Sequence, residues 1–125
     1  MRIHHLAFRT FDLPRLERFY VDVLGLEVVR RNERSVWLDA GGAIVMLERR
    51  DDAEPEIAPT SLELTCFAIE PDEHDAVTSR LAAAAVPIEG RTAYSVYFRD
   101  PDGRRVGVSS FPRELERGPE RAAGE

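Results

Sequence analysis

The chain contains no lysine, no glutamine and only one cysteine, Cys66. Without lysine, Schiff-base chemistry and lysine nucleophiles are excluded. A single cysteine cannot close an internal disulfide, which agrees with a reducing compartment. The longest apolar runs, such as Leu81 to Val86, are far too short to span a bilayer. Met1 to His5 lack the apolar stretch of a signal peptide, so a cytoplasmic location without membrane attachment is expected. Basic charge is also in deficit: 17 basic residues, all arginine, face 23 acidic ones, for a net charge of −6. That balance argues against a nucleic-acid partner, which would require a basic stripe to neutralise phosphates. The exclusive use of arginine reads as codon bias and carries no function.

What is present is a chain of 125 residues with 43% hydrophobic content, the size of one globular domain with a real core. It holds two rough copies of one unit, about residues 2–49 and 61–110. Ser35-Val36-Trp37-Leu38 aligns with Ser95-Val96-Tyr97-Phe98, and His5-Leu6-Ala7-Phe8 with Leu64-Thr65-Cys66-Phe67. With one insertion, Gly42 meets Gly103, Val45 meets Val106, Met46 meets Gly107 and Leu47 meets Val108. A duplicated half-domain predicts a pseudo-two-fold fold with a site between its halves.

Each copy reads as β-α-β-β-β. In the first, Ile3 to Thr10 is a strand, and Asp12 caps an amphipathic helix over 13–24 with Pro14 in its first turn. Gly25 supplies the left-handed residue that ends it. Leu26 to Arg30, Ser35 to Asp39 and Ala43 to Arg49 are strands. The charged, proline-rich stretch 50–60 is the linker. In the second copy, Leu62 to Ile69 is a strand, and Pro71-Asp72 opens a helix to about residue 84, burying Ala76/Val77, Leu81 and Ala84/Ala85. Val86-Pro87-Ile88 begins a short strand, followed by strands at Tyr94 to Arg99 and Arg104 to Ser110. Asp100-Pro101-Asp102-Gly103 is a tight turn in which Asp100 and Asp102 are turn formers. The domain closes near residue 112, and residues 113–125 form a polar tail.

The opening HHLAFRTFDLPRLERFYVDVLGLEVV, the closing YFRDPDGRRVGVSS and the duplication resemble the vicinal oxygen chelate superfamily over residues 2–110. That superfamily includes glyoxalase I, extradiol dioxygenases, fosfomycin-resistance proteins and bleomycin-resistance proteins. The resemblance implies an α+β fold: two βαβββ modules in pseudo-two-fold arrangement, with mixed sheets curled into a half-open barrel and helices outside. It also implies a divalent metal held by a histidine on the first strand of each module and a carboxylate on the last strand of one or both. The histidine positions fall on His5 (His4 being the weaker match) and on Leu64, and the carboxylate positions on Met46 and Gly107. One donor of four survives. Glu48, two residues past Met46, points to the same face about 6–7 Å further along. His5 and Glu48 are therefore the weak metal candidates.

Strand parity fills in the rest. If His5 faces the hollow, so do Ile3, Ala7 and Arg9, then Trp37, Met46 and Glu48, and from the second copy Leu64, Cys66, Tyr97, Arg99 and Arg105. His4 should face the helix layer or an edge, and His74 should lie in solvent in the first turn of the second helix. Cys66 has no visible base partner to make it a nucleophile. An apolar cleft with two aromatics, a methionine and rim arginines suits a flat aromatic or anionic small molecule. The expected function is therefore small-molecule binding or sequestration of the glyoxalase/bleomycin-resistance type, in a homodimer, with no cofactor. The alternative is a metal-dependent lyase, isomerase or dioxygenase using His5 and Glu48.

Overall fold

Burial alternates along several strands of the computed structural model, which describes residues 1–112; the tail expected over 113–125 lies outside them. The elements are β1 (His5–Thr10), α1 (Leu13–Arg18), a π-turn (Phe19–Val23), β2 (Glu27–Arg31), β3 (Ser35–Asp39) and β4 (Ile44–Arg49). They continue with β5 (Leu64–Ala68), a 3-10 turn (Pro71–Glu73), α2 (His74–Ala83), β6 (Gly90–Arg91), β7 (Ser95–Arg99) and β8 (Arg105–Ser109). Two four-stranded mixed sheets result, ordered β1-β4-β3-β2 and β5-β8-β7-β6. In each the outer first strand runs parallel to the last, and the remaining pairs are antiparallel. The fold is α+β with two βαβββ modules of the same layout. Among the described residues no helix is long and apolar enough to cross a membrane.

Alternation also sets what packs. Phe8, Val36, Leu38, Val45 and Leu47 of the first sheet are buried, as are Val96, Phe98, Val106 and Val108 of the second, against Leu13, Leu16, Val77 and Leu81 of the helices. The intervening residues leave one face of each sheet open, with His5, Ala7 and Arg9 exposed on β1 and Leu64, Cys66 and Ala68 exposed on β5.

The first helix departs from the expected regular run. Asp12 does cap it, accepting the Arg15 amide at 3.1 Å. After Arg18 the backbone widens, with the Leu24 N–H donating to the Phe19 carbonyl at 3.2 Å. Regular α geometry sets consecutive side chains about 100° apart. The wider turn accommodates Phe19, Tyr20 and Val23 in one core, where they are 5%, 0% and 6% exposed. Gly25 follows at φ +80, in the left-handed region as expected.

Three expectations in the second module are corrected. The short strand lies at Gly90–Arg91, not at Val86–Ile88, and its pairing begins where the Glu89 amide donates to the Tyr97 carbonyl at 2.7 Å. Pro87 has no N–H to offer a ladder, and Val86 and Ile88 pack on the core instead. The 3-10 turn leading into α2 is capped by Glu70 in a reciprocal box with Glu73, and Ala76, Ala84 and Ala85 are exposed while Val77 and Leu81 carry the burial. His74 is half-buried rather than solvated, its Nε2 lying 2.8 Å from Ser110 Oγ.

The modules are joined through the first helical segment. Phe19 meets Phe98 at 6.1 Å between ring centroids, and Tyr20 meets Phe67 at 6.3 Å. The Arg80 Nε donates to the Val23 carbonyl at 2.7 Å, and Arg15 pairs with Asp102 at 2.8 Å. At the centre the fully buried Tyr20 hydroxyl donates to Asp100 Oδ2 at 2.8 Å. Asp100 is thus more than a turn former: it is 4% exposed and also accepts the Asp102 and Arg104 amides and the Arg104 guanidinium.

Tyr20→Phe is expected to cost about 1.5–3 kcal/mol, the range for a hydrogen bond to a charged group. A lower denaturant midpoint near neutral pH would show it. Burial first, and then the Asp100 charge, push the Tyr20 phenol well above its ordinary value of 10.0. The folded chain therefore keeps a proton that the unfolded chain releases as pH rises past about 10, and stability falls there. Wild type should lose stability more steeply than Tyr20→Phe between about pH 9 and about pH 11; equal slopes would reject the assignment.

Candidate functional site: the open sheet faces

On the first sheet, β3 and β4 place Trp37 directly opposite Met46. The Trp37 indole N–H donates to Ser35 Oγ at 3.2 Å, and the Arg30 guanidinium lies 5.1 Å from the ring centroid. One edge of the indole is thus tied down while the side chain remains partly exposed. His5 stands at the start of β1, opposite Ile44. Its Nδ1 lies 2.9 Å from the Nδ1 of His4. His4 is exposed, not packed beneath a helix, and its carbonyl accepts the Ile44 amide.

The rim arginines are already engaged. Arg9 donates to both carboxylate oxygens of Glu54, at 2.7 and 2.8 Å, and reaches Glu48 at 3.4 Å. The Arg9 hydrogen bond, reinforced by the Asp51 amide, lowers Glu54 to about 2. Arg99 grips Glu89 at 2.6 and 3.0 Å and donates to the carbonyls of Ser61 and Gly103. Arg105 shares Glu89 at 3.2 Å. The Arg99 hydrogen bond is the main reason Glu89 is held below its usual value, and the same contact raises Arg99. Neither Glu54 nor Glu89 stands out in the sequence, because each sits in a loop and gains its role only by tertiary pairing.

The second sheet repeats the first with different side chains. Gly107 lies opposite Cys66 and Tyr97, as Met46 lies opposite Ala7 and Trp37. Leu64 takes the place of His5. The Tyr97 ring covers Gly107 so closely that a Cβ there would come within 2.8 Å of Tyr97 Cδ1 and 3.2 Å of Cys66 Sγ. Gly107 has no left-handed φ, so space rather than backbone freedom requires glycine. Arg105 also holds the ring, its guanidinium lying 4.7 Å from the centroid. Tyr97 therefore occupies the volume into which a chelating side chain at 107 would project. With Met46, Leu64 and Gly107 at three of the four chelating positions, the residues present do not fit the divalent ion that the resemblance implies. Among the described residues no three His, Cys, Asp or Glu side chains converge as a metal set.

Two clefts border the sheets. One of about 270 Å³, between Phe8, Ile57, Glu63 and Arg104, includes only Leu64 and Arg105 of the predicted lining. The other, of about 350 Å³, lies by α1 and includes none of it. Within each open face the predicted residues are neighbours: His5, Arg9, Trp37, Met46 and Glu48 on one, Leu64, Cys66, Tyr97, Arg99 and Arg105 on the other.

The fold and the repeat define a class of protein. Residues 2–108 match the family model of the Glyoxalase/Bleomycin resistance protein/Dioxygenase superfamily, and the chain belongs to that superfamily. It is 31% identical over 122 residues to virulence protein STM3117 of Salmonella typhimurium, covering 88% of this chain and 84% of that protein. It is 28% identical over 109 residues to the metallothiol transferase FosB of Lysinibacillus sphaericus, covering 82% and 77%. Its structure superposes on the lactoylglutathione lyase of Agrobacterium tumefaciens with a TM-score of 0.68 at 28% identity, over 86% of this chain and 92% of that one.

Gly107→Ala is expected to destabilise by about 1–3 kcal/mol through overpacking against Tyr97. In a Tyr97→Ala background most of that cost should vanish. Denaturant unfolding of the four proteins in a double-mutant cycle measures the coupling, and an unchanged cost in the Tyr97→Ala background would mean that the tyrosine does not close this position.

Proposed function

We propose that the protein binds or sequesters a flat, largely apolar small molecule on its open sheet faces, and that it does so without the superfamily's usual metal centre. The observation that carries this reading is the Tyr97 ring seated over Gly107, where an aromatic surface stands in place of a chelating side chain. Trp37 with Met46 supplies the corresponding surface on the first sheet. Aromatic rings in such positions stack on planar ligands and add area at little entropic cost. The rim arginines engaged by Glu54 and Glu89 favour a ligand that is recognised by its shape over one that must be neutralised. A homodimer is part of the same proposal. Ile3 and Leu64 are 60% and 39% exposed beside these faces, and a second copy would cover them.

A second reading keeps a metal. Similarity to the metallothiol transferase FosB favours it, as does the presence of His5 and Glu48 on one face. In that reading Glu48 must leave Arg9, and further donors must come from substrate, water or a partner chain.

Trp37 is the only tryptophan, so its emission reports on the first face. Titration of metal-stripped protein with planar aromatic compounds should quench or shift this emission saturably, and Tyr97→Ala should weaken binding about tenfold, on the order of 1.4 kcal/mol. A flat response across the panel counts against binding. Elemental analysis after incubation with Ni, Zn, Mn and Fe supports the metal reading instead if it finds stoichiometric metal that His5→Ala abolishes.

A further inference from the structure

The cleft beside α1 joins arginines to an apolar lining on the helix side of the first sheet. Leu13 and Val36 form its apolar floor, with Pro14 alongside. Three arginines ring it: Arg18 from α1, Arg31 from the end of β2 and Arg49 from the end of β4. Two acids also line it, Glu17 and Glu33. Glu17 is paired with Arg31. Arg49 donates from its Nε to the Glu33 carbonyl at 3.1 Å, a contact that leaves its charge unbalanced. Among the described residues neither Arg18 nor Arg49 has a carboxylate partner. The cleft therefore carries one positive charge in excess in a chain whose net charge is −6. Asn32, also in the lining, has its Oδ1 occupied by the Arg34 and Ser35 amides, which leaves its NH₂ as a donor.

We infer that this cleft is a second binding site, for a small organic carboxylate with a flat apolar body. The single excess charge matches a monoanion. The planar guanidinium fork matches a carboxylate in two-point contact. The apolar body packs against Leu13, Pro14 and Val36, in a volume of about 350 Å³. The site is distinct from the open face. Val36 and Trp37 are adjacent on β3, so their side chains leave the sheet on opposite sides. Binding here needs no metal and no partner copy, so it stands or falls independently of the proposal for the open faces.

Benzoate is the probe and benzamide its neutral isostere, each titrated into the full chain at constant ionic strength and followed by amide chemical shifts. Benzoate should move the amides of residues 13–18 and 31–36 saturably in the millimolar range, and benzamide should not. Arg18→Gln with Arg49→Gln should weaken benzoate at least tenfold; both side chains are exposed, so the melting temperature should hold and show that the fold is retained. Equal binding of benzamide, unchanged affinity in the double variant, shifts confined to the Trp37 and Met46 region, or no response to benzoate would each overturn the inference.

Discussion

A carboxylate with almost no access to water sits where the two modules meet. Asp100 receives the Tyr20 hydroxyl from the first module, two amides of its own turn, and the Arg104 guanidinium. Removing a charge from water is costly unless hydrogen bonds and an opposite charge replace the lost hydration. Here they do, and each replacement fixes something. The amides lock the turn, where Gly103 takes φ +93 and its N–H closes onto the Asp100 carbonyl. Arg104, held by Asp100, reaches the carbonyl of Arg9 and lies 5.0 Å over Phe8, both on β1. The hydroxyl pins the π-turn, which carries Phe19 to Phe98. The position of one sheet against the other thus follows from a few groups around one buried oxygen pair.

That geometry decides what the open faces offer. Two clusters of arginine and glutamate flank them, Arg9 with Glu54 and Glu48, and Arg99 and Arg105 with Glu89. A ligand carboxylate would have to displace one of these acids to use Arg9, Arg99 or Arg105. Exposed pairs of this kind contribute little to stability, and they leave Arg9, Arg99 and Arg105 already engaged beside the rings of Trp37 and Tyr97. Arg18 and Arg49, which have no carboxylate partner among the described residues, lie on the other side of the first sheet.

Much of this was legible in the sequence. The element order, the equivalence of Met46 with Gly107 and of His5 with Leu64, and the split between buried and open faces all follow from period-two alternation and the internal repeat, which are local signals. What was illegible depends on distant partners. Asp100 reads as a turn residue because its turn chemistry is local, whereas Tyr20 lies 80 residues away. Arg9, Arg99 and Arg105 read as available because Glu54 and Glu89 become their partners only once the loops are placed. His74 reads as solvated because Ser110 is 36 residues on. The π-turn is hidden for a related reason: the pattern Leu13, Leu16, Phe19, Val23 fits a regular helix, and only the need to bury Tyr20 as well distinguishes the wider turn.

The repeat also shows why the chelating arrangement is not one substitution away. Module one keeps an imidazole at the histidine position and a methionine at the carboxylate position; module two has leucine and glycine there. A carboxylate introduced at 107 would meet the Tyr97 ring before it met any ion. Moving the ring means releasing Arg105, which is shared with Glu89, which in turn anchors Arg99 to the carbonyls of Ser61 and Gly103. The glycine and the tyrosine are therefore one feature rather than two. The absence of a side chain at 107 is what lets the Tyr97 ring approach β8 so closely, and the ring fills the space that a chelating side chain at 107 would need.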